Sequence, residues 1–369
     1  MITYCTNIHP GETWDEAFSE LRAHVPAVRA GLAGPDPFPI SLWLSARAAR
    51  EFDGEALARF DDWRHEQQVT VASINGFPYG GFHGRRVKEN VYLPDWRSPE
   101  RLAHTRRLAE LLAGWLPDAA EAVISTVPVG FRSAGTDWSG ALANLREALA
   151  HFDDLSQRTG RDLILALEPE PGCLLQSAGD VLRLMDDLRL PPSLRCHLGV
   201  CYDCCHHAVM FEDVRGSIGQ LAGAGIRIAQ WHVSSALRVR GDALDSLRGF
   251  REPTYLHQTA GRTRTGQLLF YPDLDEAFAE AGARRDVEEW RTHFHVPVFT
   301  DRVGDCGTTQ PELIEALESA PADAALVVET YSFGALPREL RLDSVVENVV
   351  RELRWTRELV SRLATGDSA

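Results

Sequence analysis

Lysine is nearly missing from this chain. Of its 38 basic residues one, Lys88, is lysine, and the other 37 are arginine. A GC-rich genome favours arginine codons, so the bias carries little functional weight. The survivor, however, stands in a loop of unusual composition. Basic residues are also outnumbered: 53 Asp and Glu give a formal net charge of -15 and a pI near 5.3. Nucleic-acid binding rests on clustered Lys and Arg against phosphate, so this balance argues against a nucleic-acid partner. No apolar run approaches the roughly 20 residues that a membrane-spanning helix needs, and no membrane insertion is expected. Met1-Ile2-Thr3-Tyr4 leads straight into a strand-like run with no basic or apolar leader, so a cytoplasmic location is expected. A disulfide framework is missing too. Seven cysteines is an odd number, and four crowd into Cys196, Cys201, Cys204 and Cys205, which fits a reducing compartment.

What is present is an alternation of short apolar runs and amphipathic stretches over all 369 residues, at 44% hydrophobic and 25% charged. The runs predict strands at Ile2–Ile8, Ile40–Leu44, Val69–Asn75, Ala122–Val127, Leu163–Glu168, His197–Asp203, Ile226–Val233 and Ala325–Thr330. They are apolar on both faces, as parallel strands covered by helices are. Helix starts are readable between them. Thr13-Trp14-Asp15-Glu16 is a capping box, and Ser98-Pro99-Glu100 and Thr309-Gln310-Pro311-Glu312 place proline in a first turn. Helices are also expected over Asp213–Ala224 and Ser344–Leu363. Eight β/α repeats predict a (β/α)8 TIM barrel as one domain over residues 1–369, with a doubly wound sheet as the structural alternative.

Two segments exceed what a simple barrel needs. Gly76–Asp95 follows the third strand and is dense in Gly, Pro, Phe and Tyr; such a loop reads as a lid or pocket wall. Ser235–Thr292 follows the seventh strand, and the HFHVPVF run of His293–Phe299 comes next. That run is itself strand-like and competes for the seventh barrel position. Ile226–Val233 is preferred, because it follows its helix at normal spacing.

Polar residues close four of the expected strands: Glu168, Asp203, His232 and Glu329. In a parallel barrel every C-terminal strand end points to one face, so the four converge there. A lone carboxylate at such a position is commonly a helix N-cap or a surface ion-pair partner. Four in register are hard to obtain that way. Three oxygens and one nitrogen suit Mn²⁺, Mg²⁺ or Co²⁺ and admit Zn²⁺. Glu168 and Glu329, from opposite sides of the mouth, are the candidate proton donor and acceptor. Asp203-Cys204-Cys205-His206 places an imidazole one turn beyond its aspartate, with His207 as competitor. Cys201-x-x-Cys204 with either histidine offers half of a zinc site, but lacks a second thiolate pair. Asn75, Tyr79, His83, Lys88, Arg238, His257, His293 and His295 are further candidates for contact with substrate. His257 and His295 are also rivals to His232 as imidazole ligand. Glu170 is either a supporting group or exposed.

These residues carry a resemblance. The layout Glu168 … Asp203-x-x-His206 … His232 … Glu329 resembles the xylose-isomerase-like TIM barrels, the superfamily of sugar-phosphate isomerases, epimerases and endonuclease-IV-type enzymes. Longer strings (YCTNIHPGE, NGFPYGGFHGRRVKENVYLPDW, LALEPEP, HLGVCYDCCH, SSALRV, YLHQ, HFHVPVF and VVETYSF) resemble the EboE-type metabolite traffic proteins over nearly the whole chain. The resemblance implies a divalent metal on Glu168, Asp203, His232 and Glu329, with the two glutamates doubling as acid–base pair. It also implies that His206 and Arg238 contact substrate. Relatives of this group often carry glutamine where this chain has His232. The function expected is isomerisation or epimerisation of a small polyhydroxylated metabolite of sugar, sugar-phosphate or cyclitol type. The alternatives are a barrel that binds or transfers a metabolite without catalysis, and an endonuclease-IV-like phosphodiesterase. Association with further copies of the chain is left open.

Overall fold

The computed structural model describes residues 1–32, 37–281 and 284–365. Seven strands appear first in chain order: β1 (Ile2–Tyr4), β2 (Phe38–Trp43), β3 (Val69–Asn75), β4 (Glu121–Thr126), β5 (Asp162–Leu167), β6 (Leu198–Asp203) and β7 (Ile228–Val233). The next six, β8 (Leu237–Arg240), β9 (Thr259–Thr263), β10 (Leu268–Tyr271), β11 (Val287–Thr292), β12 (Arg302–Val303) and β13 (Cys306–Thr308), form a separate sheet, and β14 (Leu326–Val328) rejoins the first. The first sheet has the order β1-β14-β7-β6-β5-β4-β3-β2, and all of its pairings are parallel. A parallel bridge from Cys5 to Ser41 brings its two edges together, so the sheet is a nearly closed eight-stranded barrel. Surrounding helices bury one face each. The first, Trp14–Ala30, begins with the expected capping box: Thr13 accepts from the Glu16 amide, and Glu16 accepts from the Thr13 amide at 2.9 Å. The doubly wound alternative is thereby excluded, and eight expected strands occupy eight barrel positions.

Inside the barrel the layer of Val123, Ile164, Ala166, Cys201 and Ala229 forms a small apolar cluster of its own. Cys201 therefore packs inside the barrel while Cys204 belongs to the main core outside, which separates the two halves of the CxxC reading. All seven cysteines are free. Among the described residues no helix is long and apolar enough to cross a membrane.

Three expectations are adjusted. The first strand stops at Tyr4 rather than Ile8, because Thr6–Ile8 form a 3-10 turn in which Thr6 Oγ1 accepts from the Trp43 amide at 2.9 Å. The excursion after β7 is not a loop: it folds as the antiparallel sheet β10-β9-β11-β8-β13-β12 and continues past Thr292 to Thr308. His293–Phe299 joins neither sheet. It leaves β11 as an extended segment across the barrel mouth, held by His293 N to Gln258 O (2.9 Å) and Val296 N to Ser235 O (3.0 Å). The seventh barrel strand is accordingly the preferred one, β7.

Candidate active site

Glu168, Asp203, His232 and Glu329 meet at the C-terminal mouth. His232 Nδ1 lies 3.1 Å from Glu168 Oε1, 3.4 Å from Asp203 Oδ2 and 3.1 Å from Glu329 Oε2, and all four side chains are buried. Donors about 2.1 Å from a common cation are roughly 3.0–3.4 Å from one another, so these spacings match the edges of a coordination polyhedron.

Each side chain is held by different means. Asp203 is the N-cap of the short helix Cys204–Val209; its Oδ1 accepts from the His206 amide (2.9 Å) and from Ser234 Oγ (2.8 Å). Capping thus occupies one oxygen and leaves Oδ2, buried and without a hydrogen-bond partner, on the His232 side. Glu329 Oε1 accepts from Asn7 Nδ2 (2.8 Å) and Asn75 Nδ2 (2.9 Å), which turns Oε2 toward His232. Glu168 Oε2 has no partner either. Gln230, two residues before His232 and on the same strand face, meets His232 Nε2 at 2.9 Å.

His295 adds a fifth group. Its Nδ1 donates to the Glu329 carbonyl at 2.8 Å, which leaves Nε2 as the lone-pair nitrogen. That Nε2 is buried, has no partner, and lies 4.0 Å from Asp203 Oδ2. Unpartnered buried polar atoms are rare and costly, and three of them (Glu168 Oε2, Asp203 Oδ2, His295 Nε2) belong to this one cluster. Groups such as Asp203–His206–His295 and Glu170–His206–His293 bring ligand atoms close enough to hold a metal ion.

The charges are strongly coupled. Burial works against an imidazolium at His232, but Cys201, Glu168 and Glu329 around it raise its pKa well above the usual value. Burial pushes Glu168 up to about 7. Burial would raise Glu329 and Asp203 as well, yet His232 holds Glu329 below the ordinary range, and His206, His295 and His232 hold Asp203 well below it. Cys201, also near Glu168 and His232, is pushed by burial up to about 12.

A cavity with about 530 Å³ of atom-free space, part of it continuous with open solvent, opens on this cluster. Its floor is polar, from Asn7, Asn75, Glu168, His206, His293 and Glu329. Glu170, left open by sequence, is buried and lines the cavity; its Oε1 accepts from Tyr92 Oη (2.7 Å) and Gln258 Nε2 (3.0 Å). The roof comes largely from the Gly76–Asp95 loop. Gly76 opens it where a Cβ would lie 2.9 Å from the Ser125 carbonyl, so no larger residue fits without movement. The buried guanidinium of Arg101 then ties the ends together, donating to the Gly76 (2.7 Å), Phe77 (3.0 Å) and Pro94 (2.8 Å) carbonyls.

The remaining candidates scatter. Asn75, His206 and Lys88 line the cavity, but Lys88 Nζ is committed to Asp273 (2.7 Å) and the Glu252 carbonyl (3.3 Å). His83 braces the loop between the Asn7 carbonyl (2.6 Å) and Tyr255 Oη (2.9 Å), and does not line the cavity. His257 has both ring nitrogens engaged, by the His293 carbonyl and Glu252, each at 2.9 Å, and stands outside the cluster. Arg238 lies on β8 in the antiparallel sheet, packed against Gly307, and is not among the lining residues. Tyr79 packs edge-on to His104. His207 pairs with Glu212 and stacks on Tyr202 at 3.9 Å, so His206 is the histidine of the pair that reaches the mouth. Sequence reasoning missed Asn7, Tyr92, Gln230, Gln258 and Tyr331. The strand-end rule finds Asn7 once β1 is ended at Tyr4, and period two finds Gln230 from His232. Nothing local marks the other three.

No protein-family model matches the chain, and no curated protein matches it. Solved structures match over nearly its full length. A xylose-isomerase-like TIM barrel protein from Mycobacterium smegmatis, in complex with magnesium, has a TM-score of 0.52 at 12% identity, covering 100% of this chain and 97% of that one. The xylose isomerase domain protein from Planctomyces limnophilus has 0.51 at 14%, covering 99% and 97%. The IolI protein with a bound zinc atom has 0.51 at 11%, covering 98% of each chain. The fold is that of the xylose-isomerase-like TIM barrels.

Proposed function

We propose that the chain is a metal-dependent isomerase or epimerase of a small polyhydroxylated metabolite, within the EboE-type group that its sequence resembles. The observation that carries this reading is the His232-centred cluster, in which three carboxylates stand 3.1–3.4 Å from one imidazole nitrogen. The donor set fits a divalent cation: buried oxygens of Glu168 and Asp203 and the Nε2 of His295 lack partners that a cation would supply. Glu168, Asp203, His232 and Glu329 would hold it, with His295 in reach of the same site. A bound Mn²⁺, Mg²⁺, Co²⁺ or Zn²⁺ supplies Lewis-acid polarisation of a substrate carbonyl.

Proton transfer then falls to Glu168 and Glu329. Without a cation, burial raises Glu168 to about 7 while His232 holds Glu329 below the ordinary range, so the two carboxyl groups are not equivalent. Asn7 and Asn75 fix the rotamer of Glu329, so its free oxygen is presented in one orientation. His206 and His293, with Nε2 atoms 3.2 Å apart, offer imidazole partners to substrate hydroxyls.

The test is metal analysis of the purified protein together with turnover assays on ketoses, aldoses and cyclitols. Retention of a divalent ion and exchange of a substrate C–H proton with solvent support the reading. A protein that takes up no metal and returns every substrate unchanged sinks it and favours a metabolite-binding barrel.

A further inference from the structure

The barrel floor and its roof differ in chemistry, and the difference bears on what fits between them. On the floor stand hydrogen-bonding groups from the strand ends. On the roof, Phe77, Phe82, Val87, Val91, Tyr255 and Leu256 supply an apolar wall. Its rings support one another. Tyr255 and Tyr331 meet edge to face at 5.3 Å, Phe82 reaches Tyr331 at 5.8 Å and Tyr255 at 6.1 Å, and Phe77 leans on Tyr92 at 5.9 Å. The wall is pinned in place: the amides of Val87 and Lys88 both donate to the Thr254 carbonyl, at 2.9 and 3.0 Å.

Cations are scarce here. Lys88 is the one Lys or Arg among the described residues that line the cavity, and its ammonium is already neutralised by Asp273 and capped by the Glu252 carbonyl. The carboxyl groups of Glu168, Glu170 and Glu329 line the same space. A phosphate group would find no free guanidinium or ammonium among these lining residues to receive it. A polyol head on the floor leaves the wall uncovered unless the ligand brings apolar surface of its own, and burying that surface is favourable in proportion to its area.

We infer that the substrate is an uncharged polyhydroxylated compound bearing an apolar substituent, and that it is not a phosphate ester. The inference rests on the reading of the barrel mouth as a polyol site and specifies the substrate class for it. The polyol occupies the floor and the apolar group lies under the loop Gly76–Asp95.

Three probes test it on the full chain by titration calorimetry, with and without Mg²⁺: methyl β-D-glucopyranoside, phenyl β-D-glucopyranoside and D-glucose 6-phosphate. The phenyl compound is expected to bind about ten-fold or more tighter than the methyl compound, and the phosphate no tighter than the methyl compound. Phe82→Ala, and separately Leu256→Asn should Phe82→Ala fail to fold, are expected to erase most of the phenyl advantage. A phenyl advantage smaller than this, its survival in the roof variant, or tightest binding by the phosphate overturns the inference. The two readings fail separately. Absence of metal and turnover with the phenyl preference intact removes the isomerase. Metal-dependent turnover with preference for the phosphate removes only the uncharged, apolar substrate.

Discussion

Glu329→Gln separates the role of this side chain in the fold from its role toward a cation. The amide oxygen of glutamine can take the place of Oε1 and keep the hydrogen bonds from Asn7 and Asn75, at 2.8 and 2.9 Å. Its amide nitrogen replaces the oxygen 3.1 Å from His232 Nδ1. A charge-assisted hydrogen bond of the kind this removes is worth about 1.5–3 kcal/mol. Relief of repulsion with Glu168 and Asp203 offsets much of it, so metal-free stability should change by about 1 kcal/mol or less. Metal affinity should fall at least about 100-fold, since even removal of groups that merely support a ligand costs 10–100-fold. At a metal concentration of about 100 times the wild-type Kd, binding stabilises the parent by about 2.7 kcal/mol and the variant by about 0.4 kcal/mol. A chain of 369 residues has an unfolding entropy of roughly 0.8 kcal/mol per degree, so the expected Tm increments are about 3.5 °C and about 0.5 °C. Thermal unfolding with and without Mn²⁺ reads both. An equal increment in the two proteins would show that Glu329 is no ligand. A metal-free Tm several degrees below the parent would mark it as a structural residue.

Three further outcomes follow from the same geometry. His232→Ala should lower metal affinity by about 100-fold or more, while His257→Ala should leave it within about three-fold, because His257 is spent on Glu252 and the His293 carbonyl; calorimetric metal titration distinguishes them. Glu352, buried on the last helix, is pushed up to about 7 by burial while accepting from Thr330 Oγ1 (2.6 Å), the Val298 amide (3.2 Å) and Asn348 Nδ2 (2.8 Å). With the folded pKa above the unfolded one, its contribution is fully present below about 4.5 and lost as pH rises to about 7. Glu352→Gln should therefore flatten that part of the stability–pH curve and stabilise the protein above pH ~7, by urea unfolding across pH; an unchanged slope would contradict the assignment. Arg101→Met removes three donors to the roof loop and should destabilise by about 3–5 kcal/mol with faster proteolysis of residues 76–95; a loss below about 1 kcal/mol would mean the loop is held by its aromatic packing instead.

Strand ends were legible because two independent constraints meet there. A strand covered on both faces reads as an unbroken apolar run, and a carboxylate or imidazole that ends such a run must face the mouth. Glu168, Asp203, His232 and Glu329 obey both and stand together in the structure. Asn7 obeys them too, but the run from Ile2 to Ile8 concealed the turn that ends β1 at Tyr4. The excursion after β7 was less readable. Its strands are short and antiparallel, with polar residues on many positions, so no periodicity separates them from a loop over Ser235–Thr292.

His295 shows what local pattern cannot supply. It lies on no regular strand, and two of its polar neighbours, Asp203 and the Glu329 carbonyl, are separated from it by 92 and 34 positions of chain. Its place is set by a chain of tertiary interactions: β11 pairs with β8 and β9, His293 hangs from the Gln258 carbonyl, and Ser332 Oγ donates to the His295 carbonyl at 2.6 Å. The antiparallel sheet is therefore the element that delivers two histidines across the mouth, over a floor built by the barrel. His232 and His295, rivals for one ligand position by sequence, both approach Asp203 Oδ2, at 3.4 and 4.0 Å. His257, the third candidate, is separated from them by its own hydrogen bonds. A glutamine in place of His232 would still leave one imidazole, His295, beside Asp203 and Glu329.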